Sequence, residues 1–364
     1  DAFDRDDQAL YDRLVVNDAK IAGMIQAIQE VRNQDDPVSQ EISNITLDSG
    51  LKIINKTAPF GTIMIIYESR PDVTIEAAVL AFKANNKILL KGGKEAYHSN
   101  VVLVDCWKQA LRENDLDESW ITMLQMNRAE TQEFLRNPDQ SLDLIVPRGG
   151  ERLIDFVKQH AKCAVLVSGR GNNFLYVHPE ADWKKTIEVI INAKTDKISG
   201  CNALDKVLVD KNLPEYESRI KELNQILIAK GVEVLADTNS KEALPKNEVV
   251  PTEDTWYEEF LAMKIVLGAV SGMDEAMQKI NTYSGGHSSA IMTQNVEAAT
   301  KFMENIDTAA VYHNASTRFT DGGQMGVGAE LAISTDKLHH RGPLGLKQLV
   351  TNKYYVYGDG HVRV

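Results

Sequence analysis

The run Thr62-Ile63-Met64-Ile65-Ile66-Tyr67 constrains what this chain can become more than any other stretch. Its apolar residues are continuous rather than alternating, which predicts a strand in a sheet covered on both faces. Strand and helix patterns then take turns along the chain. Strands are expected over 51–56, 62–67, 87–91, 142–146, 163–167 and 173–177, with helices over 75–83, from Asn100 past Leu111, and over 152–160. A second set follows, with strands over 206–210, 232–235, 289–293 and 309–312 and helices over 182–193, 215–230, 274–283 and 296–306. A polar loop over 237–255 interrupts it, and 353–357 is strand-like. Strands separated by helices imply doubly wound, mostly parallel sheets, hence an α/β fold. Residues 1–34 read as helical, with Asn17-Asp18 able to cap a face of Ile21, Met24, Ile25, Ile28 and Val31, and Asp36-Pro37 stops the pattern.

With 364 residues, 43% of them hydrophobic, the chain can fill two cores. Its formal net charge is -12 and its cations are scattered, so a nucleic-acid or anionic-membrane surface is not expected. Cys106, Cys163 and Cys201 have neither paired nor metal-ligand spacing, and the His residues form no HExxH arrangement. No metal is expected. The acidic opening, residues 1–7, lacks a signal-peptide pattern. These features together predict a cytoplasmic protein with no membrane span.

Cys201 lies in Asn192-Ala193-Lys194-Thr195-Asp196-Lys197-Ile198-Ser199-Gly200-Cys201-Asn202-Ala203-Leu204, on the connection from a helical pattern to a strand. Connections of this kind display reactive side chains. A thiol there becomes a nucleophile when its thiolate is stabilised, and Lys194 and Lys197 offer positive charge nearby. A small buried hydrophobe is the competing reading of a lone cysteine.

Three strand ends carry further chemistry. Residues 61–73 finish a buried strand with Glu68, Arg70, Pro71 and Asp72, at the carboxyl edge where open α/β sheets place ligands. Arg70 can bind an anion there or simply pair with Glu68 or Asp72. Leu90-Lys91-Gly92-Gly93-Lys94-Glu95 and Pro147-Arg148-Gly149-Gly150 put cations and glycines at strand-to-helix junctions, which suits a phosphate-bearing cofactor or a plain tight turn. Later, Ser316-Thr317-Arg318 and Arg341 combine hydroxyl and guanidinium groups, which suit a carboxylate or phosphate.

The blocks YESRPDV (67–73), LKGGKEAYHSN (90–100), VPRGG (146–150), NAKTDKISGCNAL (192–204), YSGGHSSAIMT (283–293), NASTRFTDGG (314–323), GAELAIST (328–335) and RGPLGL (341–346) occur in this order. Together they resemble the γ-glutamyl phosphate reductase family, a branch of the aldehyde dehydrogenase superfamily, over essentially the whole chain. The chain would start within the family's first helical region. The resemblance implies an aldehyde-dehydrogenase-like fold with a Rossmann-type NADPH-binding domain over 1–190, including an oligomerisation strand at 49–58. A second α/β catalytic domain over 191–327 would carry Cys201, and 328–364 would return to the first domain and end in another oligomerisation strand.

By position, Cys201 matches the family's nucleophile, with Asn202 supplying a backbone donor to the oxyanion. Lys91, within Lys91-Gly92-Gly93-Lys94-Glu95, falls where relatives hold the cofactor ribose. Pro147-Arg148-Gly149-Gly150 falls at the pyrophosphate turn, Glu259 at a residue that holds the nicotinamide ribose, and Arg70 near the oxyanion-hole asparagine. Ser316, Thr317, Arg318 and Arg341 are implied substrate contacts. The implied reaction is NADPH-dependent reduction of L-glutamyl 5-phosphate to L-glutamate 5-semialdehyde in proline biosynthesis, by a homo-oligomer with possible coupling to glutamate 5-kinase. Departures from the family pattern stand at Asn85, Asn173-Phe174, Gly200 and Asp205. No carboxylate occurs in 167–171, where hydrolytic aldehyde dehydrogenases carry a water-activating Glu, which suits reduction of a thioester. A dehydrogenase of another small aldehyde and a non-catalytic scaffold remain alternatives.

Overall fold

The computed structural model describes residues 14–68, 70–250 and 252–363. The chain divides into two compact units. Unit 1 takes residues 1–167, 326–332 and 343–364, and unit 2 takes 168–325 and 333–342.

In unit 1, helix α1 (Asp18–Asn33) leads to strands β1 (Glu41–Thr46), β2 (Lys52–Pro59) and β3 (Thr62–Tyr67). Then come α2 (Pro71–Lys83), β4 (Lys87–Lys91), α3 (Tyr97–Glu113), β5 (Ile121–Met123), α4 (Arg128–Arg136), β6 (Leu144–Arg148), α5 (Glu151–His160) and β7 (Ala164–Val165). The main sheet runs β5-β4-β3-β6-β7, all parallel. Successive residues of β3 feed opposite cores: Ile63, Ile65 and Tyr67 pack with Ala77, Leu80 and Val104, while Met64 and Ile66 pack with Phe134, Leu135 and Val157. That two-sided burial is why the run is continuously apolar. From β3 the order grows through β4 to β5 and then, with β6 and β7, in the other direction, so the topological switch lies between β3 and β6.

A smaller antiparallel sheet joins β1, β2 and the strand Val350–Tyr357. The last two pair over their full length, from Pro59 opposite Val350 to Lys52 opposite Tyr357. The strands expected to extend a neighbour's sheet therefore pair first with each other. Ile42, Ile45, Tyr354 and Val356 of this sheet are exposed in the single chain.

Unit 2 contains β8 (Asn173–Val177), α6 (Trp183–Thr195), β9 (Leu204–Asp210), α7 (Tyr216–Ala229), β10 (Glu233–Ala236), β11 (Glu248–Val249), β12 (Lys264–Val270), α8 (Met273–Tyr283), β13 (Ser288–Met292), α9 (Val296–Asn305) and β14 (Ala310–His313). Its seven parallel strands run β11-β10-β12-β9-β8-β13-β14. One face buries Leu175, Val207 and Val209, the other Phe174, Tyr176 and Leu208.

Several expectations move. The division falls at Val167/Ser168 and not near 190, because β8 lies between β9 and β13 and so belongs to the second sheet. The returning tail is split, with 333–342 staying in unit 2. Helix α1 starts at Asp18, capped by the Asn17 side chain on Lys20 N–H at 3.0 Å; the part of the expected helix over 1–13 lies outside the described residues. Strands β1, β5, β11 and β12 and helix α4 had no counterpart in the sequence reading.

Candidate active site

The thiol turn is built by close approach. Helix α6 ends at Thr195, β9 begins at Leu204, and Cys201 sits between them, half-buried and in no disulfide. Gly171, just before β8, lies so tightly against this turn that a Cβ there would stand 2.0 Å from the Cys201 carbonyl oxygen and 2.6 Å from its Cα. Only a residue without a side chain fits. The Asn173 amide, buried completely, donates to the carbonyls of Gly171 (2.8 Å), Cys201 (2.8 Å) and Ala203 (2.7 Å). Asn173 was noted in the sequence only as a departure, yet it clasps the Cys201 backbone.

The Asn202 side chain is committed elsewhere. Its amide donates to the carbonyls of Arg318 (3.1 Å) and Thr320 (2.9 Å), and the Thr317 hydroxyl donates to the Asn202 carbonyl at 2.8 Å. Ser316 and Thr317 are buried, and the Ser316 hydroxyl accepts from Arg318 N–H at 3.3 Å. Of the two hydroxyls expected at the substrate, that of Thr317 ties the 316–320 segment to the thiol turn, while that of Ser316 caps the short turn at Arg318. Arg318 places a guanidinium nitrogen where a Gly200 Cβ would come within 2.8 Å of it, and its Nε holds Asp196 at 3.1 Å. The glycine before Cys201 thus makes room for Arg318. Arg341 gives two guanidinium nitrogens to Asp307, at 2.9 Å to Oδ1 and 3.1 Å to its carbonyl.

Beneath the turn lies a buried charged cluster. Lys194 and Asp205, 0% and 2% exposed, pair at 2.8 Å, so Lys194 serves Asp205 and not the thiolate as the sequence suggested. Burial pulls the Lys194 ammonium below its usual range, and Asp205 opposes the shift. Asp205 Oδ2 also accepts from Phe260 N–H at 2.9 Å. Its neighbour Lys206, fully buried, donates to Asn172 Oδ1 and to the Glu258 carbonyl, both at 2.8 Å, with its ammonium 3.7 Å from the centre of the Phe260 ring. Burial brings Lys206 down to about 7. Glu259, between those anchored neighbours, accepts from Gly171 N–H, and burial pushes its carboxyl up to about 7.

In unit 1 the sequence-picked strand ends converge on the switch point. Ile66 is opposite Lys91 and Tyr67 opposite Arg148, so β4, β3 and β6 finish side by side. Pro147, opposite Ile66, lacks an amide donor near the end of that ladder. Lys91 Nζ donates to the Gly92 carbonyl at 3.0 Å; burial draws its ammonium down while Glu95 acts against the shift. Lys94 and Glu95 form a 3-10 turn before α3, with Gly93 at its cap. Gly149 and Gly150 open α5, and the Gly150 N–H donates to Glu68 at 3.3 Å, a carboxylate drawn to a helix start. A Cβ on Gly149 would stand 2.7 Å from that carboxylate. Arg70 stands at the N-cap of α2 without a side-chain capping bond, and its guanidinium, 45% exposed, pairs with Asp72 of the first turn at 2.7 Å. This is the surface pairing that its sequence context allowed.

A half-buried thiol entering a parallel strand, in a chain whose other unit is doubly wound with cations and glycines at its switch point, defines the aldehyde dehydrogenase class. The aldehyde dehydrogenase family model matches residues 16–234 and 218–330. γ-Glutamyl phosphate reductases are similar at closer range: that of Thermotoga sp. strain RQ2 is 44% identical over 98% of this chain and 85% of its own length, and that of Persephonella marina 42% over 98% and 81%. The crystal structure of the Thermotoga maritima γ-glutamyl phosphate reductase superposes with a TM-score of 0.93 at 43% identity, covering 98% of this chain and 86% of that one. The chain belongs to the γ-glutamyl phosphate reductase family. An acetylating aldehyde dehydrogenase from Geobacillus thermoglucosidasius, at 17% identity and a TM-score of 0.70 over 98% and 88% of the two chains, shares the fold.

Proposed function

We propose that this protein reduces L-glutamyl 5-phosphate to L-glutamate 5-semialdehyde in proline biosynthesis, releasing phosphate and using NADPH. The observation that carries the reading is Cys201 on a turn whose backbone is held by Asn173 and Gly171, in a chain 44% identical to a γ-glutamyl phosphate reductase. The Cys201 thiolate attacks the acyl carbon, the carbon–oxygen bond to phosphate breaks, and a thioester remains on the sulfur. The Asn202 N–H would donate to the oxygen that gains charge in that step, an interaction worth about 3 kcal/mol. Arg318, 17% exposed and anchored by Asp196, would meet an anionic group of the substrate.

The residues fit a phosphate-bearing dinucleotide. Lys91, Arg148 and the Gly149-Gly150 backbone, with Lys94 close by, would hold its phosphates and adenosine ribose, Glu68 already marking the helix start as an anion position. Glu259 would hold the nicotinamide ribose. NADPH, when bound, supplies the hydride that reduces the thioester. The resulting tetrahedral carbon collapses to the aldehyde and regenerates the thiolate. No helix among the described residues is long and apolar enough to cross a membrane, and we take the enzyme to be cytoplasmic. The exposed apolar side chains of the three-stranded sheet support a homo-oligomer, and functional coupling to glutamate 5-kinase belongs to the same reading.

The test runs the reaction backward from glutamate 5-semialdehyde, NADP and phosphate. NADPH formation that requires phosphate is expected, and Cys201→Ser should lower it at least 10³-fold with an unchanged thermal midpoint. Phosphate-independent oxidation would instead make the protein a dehydrogenase of another aldehyde. Full activity of Cys201→Ser would remove the thiol from the mechanism.

A further inference from the structure

The strand that leaves the thiol turn is irregular where it matters. Asn173 of β8 is opposite Leu204 and Phe174 is opposite Lys206, so Asp205 is an extra residue in β9. A bulge turns two consecutive side chains toward one side, where regular pleating would send them apart. Here both reach a single segment. Asp205 takes Phe260 N–H at 2.9 Å, and Lys206 takes the Glu258 carbonyl at 2.8 Å and lies 3.7 Å from the Phe260 ring centre. Glu259, between those two residues, has little backbone freedom left, and its carboxylate is aimed at Gly171, the residue packed on Cys201.

Burying such charges is expensive without a purpose for them. Lys194, Asp205 and Lys206 are each 2% exposed or less, with Lys194 paired to Asp205 and Lys206 bonded to Asn172 and the Glu258 carbonyl, and the step derived above uses none of them. Apolar residues of similar volume would serve stability as well or better. What apolar residues could not do is set the charge and the aim of Glu259.

We propose that Asp205 and Lys206 are positioning residues for the nicotinamide ribose, the bulge at Asp205 bringing both onto residues 258–260 so that Glu259 is held in place beside the Cys201 turn. The inference rests on the reading of Glu259 as a cofactor contact. The charged groups facing Glu259 are Arg170 and Lys206, which favour its carboxylate, and Asp205, which disfavours it; Lys194 and Glu258 face Lys206 in turn. An ionised Glu259 accepts hydrogen bonds from ribose hydroxyls, and a protonated one offers fewer acceptors. Removal of the Lys206 charge therefore moves the loss of cofactor affinity on acidification to higher pH.

The experiment measures NADPH binding to the full chain by calorimetry between pH 5.5 and 9, for the unaltered protein, Lys206→Met and Lys206→Gln. Use of one ligand throughout cancels the titration of its own phosphates. The Gln variant keeps a donor for Asn172 and the Glu258 carbonyl, so the question survives if the Met variant does not fold. Both variants are expected to shift the acid limb upward by about one pH unit, a result of losing one neighbouring charge. Alkylation of Cys201 by iodoacetamide, followed on its own peptide by mass spectrometry, should stay within about twofold, since Lys206 acts on Glu259 and not on the sulfur. An unmoved limb in folded variants, with only the thermal midpoint lowered, would overturn the inference and leave the functional reading standing. Failure of the unaltered protein to bind NADPH would overturn both.

Discussion

Replacement of Gly171 by Ala tests how Cys201 is held. The new Cβ would stand 2.0 Å from the Cys201 oxygen and 2.6 Å from its carbonyl carbon and Cα. All three are backbone atoms, so no side chain can swing aside. Ordinary contact begins near 3.4 Å, and the turn must retreat by roughly 1.4 Å. Displacement of a reacting group by about 1 Å costs on the order of 10²-fold in rate, equivalent to about 2.7 kcal/mol of barrier. Overpacking of this kind also costs about 1–3 kcal/mol of stability. The phosphate-dependent reverse reaction should therefore fall about 10²-fold in kcat, with the thermal midpoint lowered by several degrees and the variant still folded. Gly23→Ala is the control, because nothing lies within 4 Å of its Cβ; relief of helix-interior glycine should stabilise by about 0.5–1 kcal/mol without altering kcat. A Gly171→Ala enzyme within threefold of the unaltered kcat would show that the turn's position does not matter and that the packing argument is wrong.

Three other outcomes follow from the same geometry. Asn173→Ala strips the donor from three carbonyls, two of them buried and one part-buried, and should lower stability by about 2–4 kcal/mol in urea unfolding, with kcat falling alongside. Lys194→Met leaves Asp205 buried without its ion-pair partner and should cost about 3–5 kcal/mol, much of it recovered in Lys194→Met/Asp205→Leu; no recovery in the double variant would contradict the charge argument. His287, fully buried, is drawn down by burial to about 4 from 6.5. The unfolded chain takes up that proton first, so stability falls as pH drops from 6.5 towards 4, by up to about 3 kcal/mol. His287→Gln should show a shallower acid branch in pH-dependent denaturation.

The apolar periodicities made much of the fold legible, because burial on two faces or one leaves a direct mark on residue choice. Thr62–Tyr67 is the clearest case. Sheet membership left no such mark. Asn173–Val177 looks the same whichever sheet receives it, and only its pairing with β9 and β13 moves it across the boundary. Strand Lys264–Val270 is central and apolar, yet Gly268 breaks its pattern, for a reason that lies far along the chain: a Cβ there would come within 3.0 Å of the Trp256 ring. Helix Arg128–Arg136 did carry a readable signal, the Asn127 to Glu130 capping box.

At the site, the connection after helix 182–193 drew notice to Cys201 and resemblance to a family to Glu259, while the residues that anchor them were not picked out. Asn173 and Asp205 registered only as departures, and Lys206 as the first residue of a buried strand. A lysine heading such a run is the one local hint available, since a buried ammonium needs acceptors that must come from elsewhere. Bulge geometry and a three-carbonyl clasp depend on distant segments meeting, and no spacing rule encodes them.

The interleaving of the two units has a consequence for synthesis. Strand Lys52–Pro59 emerges from the ribosome early but acquires its second neighbour only when Val350–Tyr357 follows, whereas the seven strands of unit 2 all lie between residues 173 and 313. The half begun first is thus completed last, and in the meantime it presents an open strand edge to whatever else is nascent nearby. A chaperone that shields that edge during translation would act on the interval between those two segments and not on the finished enzyme.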